Sequence, residues 1–144
     1  MRPLLLDTNV YSEFKRGDAE ATQVLDHATE IAISVVVLGE LLGGFEAGTR
    51  ANANRQELNE FLDTQAVRVL AVDSDTAEIY AQIYRDLRRA GTPIPQNDMW
   101  IAATALQHSL ALFTFDQHFH NVAGLTVGQT RADFDAPVGG VSPT

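Results

Sequence analysis

Short apolar runs alternate along the chain with longer segments in which apolar residues recur every three or four positions. That alternation is the mark of strand–helix–strand units, which lay their strands side by side in a parallel sheet. Leu4 to Leu6 is the first strand-like run, and a helix is expected to start over Val10 to Phe14. The Gly17-Asp18 break separates it from a second helix over Ala19 to Ala28. Ile31 to Ile33 is the second strand, after which the Ser34 hydroxyl is placed to cap a helix running to about Ala47. A polar helix from about Ala51 to Thr64 leads into Val67 to Val72, whose β-branched residues suit a third strand.

Asp73 or Ser74 is placed to cap the next helix. There Ala77, Tyr80, Ala81, Tyr84 and Leu87 form a stripe predicted to face the core, and Gly91 with Pro93 ends the helix. An Ala-rich helix from about Asn97 to Ser109 follows Pro95; Leu112 to Phe115 is the fourth strand and Leu125 to Val127 the fifth. The remainder, TRADFDAPVGGVSPT, holds turn-formers and little periodicity, so residues 131–144 are expected to be a loosely attached tail. The expected fold is α/β, a single domain over residues 1–130 with a central, mostly parallel, twisted sheet of four or five strands flanked by helices.

A length of 144 residues allows one core and not two. The absence of cysteine excludes disulfides, thiolate zinc sites and a cysteine nucleophile, so any metal has to use oxygen or histidine. The start MRPLLLDTNV is too short in apolar residues for a secretory signal or a membrane span, and a cytoplasmic location without membrane association is expected. A formal net charge of -9 argues by itself against a polyanionic ligand. Two features temper it: acids gathered in one pocket are neutralised by bound cations, and the bases cluster at Lys15-Arg16 and at Arg85, Arg88 and Arg89. Those clusters are equally what solvated helix faces carry.

Four carboxylates stand at or near the ends of predicted elements: Asp7 in LLLDTN, Glu40 in SVVVLGELLGG, Asp98 in PIPQNDMWIAATAL and Asp116 in LFTFD. Open α/β sheets gather ligands at the carboxyl ends of their strands, where Asp7 and Asp116 fall. Hard dications such as Mg²⁺ and Mn²⁺ prefer oxygen ligands, and crowded carboxylates repel one another unless a cation compensates. Taken singly, each acid has an ordinary explanation, as a turn former, a helix cap or an exposed helix residue. Glu40 is the hardest to explain so, because Val35 to Leu38, Leu41 and Leu42 make its helix apolar all round and predict that it is well buried.

The four motifs, in this order and at this spacing, resemble those of the PIN-domain ribonucleases, most closely the VapC and FitB type of toxin from bacterial toxin–antitoxin pairs. LLLDTNV is similar to that family's first-strand motif, SVVVLGELLGG to its Glu-bearing helix, PIPQNDMWIAATAL to its third acidic motif and TFDQHF to its Thr-x-Asp-x-x-Phe motif; the likeness spans about residues 3 to 127. The resemblance implies a PIN-like domain with Mg²⁺- or Mn²⁺-dependent endoribonuclease activity, held inactive by a cognate antitoxin of the VapB or FitA kind and assembled as a homodimer. It implies Asp7, Glu40, Asp98 and Asp116 as the catalytic acids, Asp7, Asp98 and Asp116 as metal ligands, and Asn9 and Thr114 as supporting residues, with Asn9 holding a carboxylate rotamer. Hydrolysis by this family's chemistry leaves a 5′-phosphate and a 3′-hydroxyl.

His118 and His120 stand outside that pattern. A His-x-His beside Asp116 offers zinc or manganese ligands only if both rings share a face, and in a loop or helical turn residues two apart diverge. Two alternatives belong to other classes. A strand-end aspartate also suits haloacid-dehalogenase-like phosphatases, but those want a late lysine and a second acid two residues on; here the only lysine is Lys15, and Asn9 occupies the second place. A non-catalytic binding module on the same fold would not need acids at all four positions.

Overall fold

The computed structural model describes residues 1–135. Five strands form one sheet in the order β3-β2-β1-β4-β5, with every pairing parallel. They are β1 (Leu4–Leu6), β2 (Ile31–Ser34), β3 (Arg68–Leu70), β4 (Ala111–Phe113) and β5 (Val127–Gly128). The helices are α1 (Thr8–Lys15), α2 (Ala19–His27), α3 (Val35–Ala47), α4 (Ala51–Thr64), α5 (Ser74–Ala90), α6 (Gln96–Gln107) and α7 (Arg131–Asp135). β1 is the central strand: Leu4, Leu5 and Leu6 are fully buried, and Leu5 pairs with Ala32 on one side and Leu112 on the other. A strand enclosed on both faces has no polar alternation to show, which is why LLL is continuous.

Local chemistry sets where the helices begin and end. The Asp18 carboxylate accepts from Ala21 N at 2.9 Å to cap α2, and the Ser34 hydroxyl accepts from Val37 N at 3.2 Å to cap α3. Asp73 opens α5 through a reciprocal capping box with Thr76. Gly91, at φ 71, closes α5 in the left-handed conformation that glycine alone adopts without strain.

Several expectations need correction. The third strand covers only Arg68–Leu70 of the expected Val67 to Val72, because at the sheet edge it has a single partner, β2, to pair with. The fourth strand ends at Phe113 rather than Phe115, and the fifth begins at Val127 rather than Leu125. On α5 the buried residues are Thr76, Ile83 and Leu87, whereas Ala77, Ala81 and Tyr84 are exposed. The inward stripe is rotated from the predicted one because Tyr80 turns to stack on Trp100 of α6, with ring centroids 4.0 Å apart. α3 is not buried all round: only Val37 and Leu41 are, and Val35 stays 40 % exposed.

Residues 131–135 also depart from the expected loose tail. They form α7, and Phe134 is fully buried against Phe113 with centroids 5.4 Å apart. Gly128 makes room for it: a Cβ there would stand 2.6 Å from Cζ of Phe134. Residues 136–144 of that expected tail lie outside the described residues.

Candidate active site

The first turn of α1 begins where β1 stops, so the residue between them, Asp7, is both the end of a buried strand and the cap of a helix. Its backbone N–H continues the ladder to the Phe113 carbonyl at 2.9 Å. One carboxylate oxygen accepts from Thr8 N at 2.8 Å and the other from the Thr114 hydroxyl at 2.7 Å. Thr114 is itself fully buried just past β4, and its oxygen accepts from Asp116 N at 3.0 Å. A single hydroxyl therefore ties the ends of β1 and β4 together and fixes both aspartates.

Asn9 acts differently from expectation. Its side-chain oxygen accepts from Phe115 N at 3.3 Å, so it holds the loop that carries Asp116 rather than a carboxylate rotamer. Glu40 is exposed on α3, where it accepts from the Thr8 hydroxyl at 2.7 Å. The acid that the apolar helix was expected to bury is thus at the rim, held by a hydrogen bond.

Asp7, Glu40, Asp98 and Asp116 all line one open cleft of about 700 Å³, together with Thr8, Asn9, Asn97 and Arg16. Two of these acids, Asp98 and Asp116, group with His118, and one donor atom from each of the three lies within 4.8 Å of the others. Asp7 and Glu40 line the same cleft beside that trio. Of the two histidines set apart in the sequence, His118 turns inward: its Nε2 lies 2.6 Å from Asp98 and its Nδ1 3.0 Å from Asp116. His120 is exposed and does not join, so the two rings diverge as expected. The turn that divides them is a 3-10 helix over Gln117–Asn121, anchored by buried Phe119. Thr8 lines the cleft and was not selected from the sequence, and His118 was raised there only as half of a His-x-His pair with His120. The available signal was the placement of Thr8 next to Asp7, and of His118 two residues past Asp116.

Two of the acids hold their protons more tightly than free carboxyls do, chiefly because they are buried. Burial pushes the Asp7 carboxyl up to about 6; hydrogen bonds from Thr114 and Thr8 oppose this, and the charges of Asp98 and Glu40 add to it. Asp98 is also raised, mainly by burial, against the pull of His118 and with help from Glu40 and Asp116. Asp98 stands in the first turn of α6, where the helix dipole favours its charge. Oxygen donors crowded in this way, with an imidazole among them, suit a divalent cation whose charge relieves the repulsion.

The basic residues that cluster in the sequence are mostly engaged. Lys15 pairs with Glu57 at 3.6 Å, Arg85 with Asp86 at 3.1 Å, and Arg16 with Glu13 at 2.6 Å on the cleft wall. No helix among the described residues is long and apolar enough to cross a membrane.

The sequence profile of the PIN domain matches residues 4–125. The chain is 31 % identical over 119 residues to Ribonuclease VapC4 of Mycobacterium tuberculosis, covering 83 % of this chain and 90 % of that protein. It is 36 % identical over 121 residues to Toxin FitB of Neisseria gonorrhoeae, covering 78 % and 87 % respectively. Among solved structures, a member of the VapBC family of toxin–antitoxin systems, VapBC-5 from Mycobacterium tuberculosis, superposes with a TM-score of 0.68 at 27 % identity, over 89 % of this chain and 97 % of that one.

Proposed function

The chain belongs to the PIN-domain family and is of the VapC type, and from that premise we propose that it is a metal-dependent endoribonuclease, the toxin of a toxin–antitoxin pair. The observation that carries the reading is the cleft at the carboxyl ends of β1 and β4, where four carboxylates meet and the buried Asp7 is pushed up to about 6. A fold tolerates that repulsion where a cation offsets it.

Asp7, Asp98 and Asp116 are the residues that would hold a Mg²⁺ or Mn²⁺ ion. Such an ion lowers the pKa of bound water and neutralises charge building on a phosphate. Thr114 keeps Asp7 and the Asp116 backbone in register, so the ligands are positioned before the substrate arrives. Asn9 fixes the Phe115 loop, and Thr8 holds Glu40 at the rim, where the carboxylate can accept a proton from the attacking water. Arg16, on the cleft wall, offers a guanidinium to an RNA phosphate once it leaves Glu13. The products of this chemistry are a 5′-phosphate and a 3′-hydroxyl.

The partner proposed is an antitoxin segment that lays an Arg or Lys among Asp7, Asp98 and Asp116, where it neutralises the same carboxylates as the metal. A homodimer is proposed through the outer face of α5, where Tyr84 and the flank of Tyr80 are uncovered, together with α4. Sequencing RNA ends after brief induction in cells tests the enzymatic reading. New 5′-phosphate ends are expected with the parent chain and not with Asp7→Asn; identical ends from both would sink it.

A further inference from the structure

The three donors grouped in the cleft are not three carboxylates: one is an imidazole. His118 reaches Asp98 Oδ2 with Nε2 at 2.6 Å and Asp116 Oδ1 with Nδ1 at 3.0 Å, so each ring nitrogen addresses a different acid. A ring nitrogen and a carboxylate oxygen that close need something positive between them, a proton or a metal ion. The two sides differ in depth, for the Asp98 side chain is 15 % exposed and that of Asp116 46 %. Asp98 is the more deeply buried of the two acids and also feels the charges of Glu40 and Asp116.

We propose that His118 is a metal ligand: Nε2 joins Asp98 on the cation while Nδ1–H donates to Asp116, which fixes the ring's tautomer and orientation. This rests on the metal-dependent reading of the cleft and adds a nitrogen to its donor set. An ion with ligands at about 2.1 Å sets neighbouring donor atoms about 3 Å apart, so Nε2 and Oδ2 need separate by only a few tenths of an ångström. Imidazole on a dication with its second nitrogen on a carboxylate is a recurrent arrangement, because the acceptor raises the basicity of the ligating nitrogen. An imidazole moves the site's preference from Mg²⁺, which takes oxygen, toward first-row transition dications. The consequence is a cleft that takes Mn²⁺ more tightly than Mg²⁺.

The test uses the full metal-free chain, with Mn²⁺ and Mg²⁺ titrated by calorimetry and the Mn²⁺ complex examined by pulsed EPR for nitrogen hyperfine coupling. The parent and His120→Gln are expected to show the coupling, and His118→Gln to lose it. His118→Gln should also lose about tenfold to a hundredfold in Mn²⁺ affinity, with a change in Mg²⁺ affinity of under about threefold. Mn²⁺ bound with no nitrogen coupling in the parent, yet weakened by Asp98→Asn, would leave the metal site standing and overturn the role of His118. Tighter Mn²⁺ binding by His118→Gln would overturn it too, by making the ring a competitor of the ion. No Mn²⁺ binding by the folded parent would instead overturn the metal-dependent reading itself.

Discussion

Replacing Asp7 with Asn should stabilise the metal-free protein at neutral pH, although the residue is proposed to be essential for cleavage. Asp7 is only 5 % exposed, and a carboxyl held at about 6 against an ordinary 3.8 is destabilised in its ionised form by about 3 kcal/mol. The sign follows from linkage. Below about pH 3 the group is protonated in the folded and unfolded chains alike and costs nothing. As pH rises toward 6 the unfolded chain gives up its proton first, so folding stability falls, and the loss is complete by about pH 7. Asn removes that slope. It has one oxygen where Asp7 has two, so one of the bonds from Thr8 N and the Thr114 hydroxyl is lost, at about 1 kcal/mol independent of pH. Asp7→Asn should therefore be less stable than the parent by about 1 kcal/mol near pH 3 and more stable by about 2 kcal/mol at pH 7.5. At about 2–4 °C per kcal/mol for a domain of this size, the gap in melting temperature should swing by about 6–12 °C. Thermal melts of metal-free protein across that pH range measure the swing. A gap that stays constant with pH would refute the claim that burial and neighbouring acids destabilise ionised Asp7.

Three further outcomes are expected. Mg²⁺ at about a hundredfold its dissociation constant should stabilise the parent by about 2.7 kcal/mol and Asp98→Asn much less; equal gains in melting temperature would remove Asp98 from the site. Phe134→Ala should cost about 3–5 kcal/mol in urea unfolding, since the ring is fully buried against Phe113; a cost near zero would mean that α7 contributes nothing to the core. Tyr84→Glu, on the uncovered face of α5, should give a monomer by light scattering at micromolar concentration, and an unchanged mass would move the proposed dimer to another face.

Much of the fold was legible because its signals are local. LLL followed by Asp could end a buried strand at only one place, and Ser34 and Gly91 mark helix boundaries through groups within a few residues of themselves. Faces were harder. On α5 the expected stripe of Ala77, Tyr80, Ala81, Tyr84 and Leu87 and the buried set of Thr76, Ile83 and Leu87 both recur at helical spacing; they share Leu87 and otherwise lie about one residue's rotation apart. What selects between them is α6, where Trp100 receives Tyr80, and no periodicity within α5 contains that. α3 misled for a related reason, since an apolar surface in sequence says nothing about whether the same chain covers it. Phe134 was invisible as a core residue because a lone aromatic among polar neighbours has no period; the hint lay six residues earlier, in the bare backbone of Gly128. In the site, four acids marked the cleft, but the inward turn of His118 depends on a 3-10 turn anchored by Phe119.

The sheet order carries a consequence for biosynthesis. β1 is made first yet sits in the middle, and its neighbour β4 ends at Phe113, so the bond from Thr114 to Asp7 spans 107 positions of sequence. Closing so long a loop is slow compared with forming helices from nearby residues. Until translation has passed Asp116, the central strand has one flank open and the cleft lacks the last of its acids. A nascent chain of this topology can form helices beside the ribosome but cannot assemble the acids that would attack RNA. The delay is written into strand order: a circular permutant that began at β4 would bring β4 and β1 together early, and the cleft would then wait on Asp98 in α6, made last.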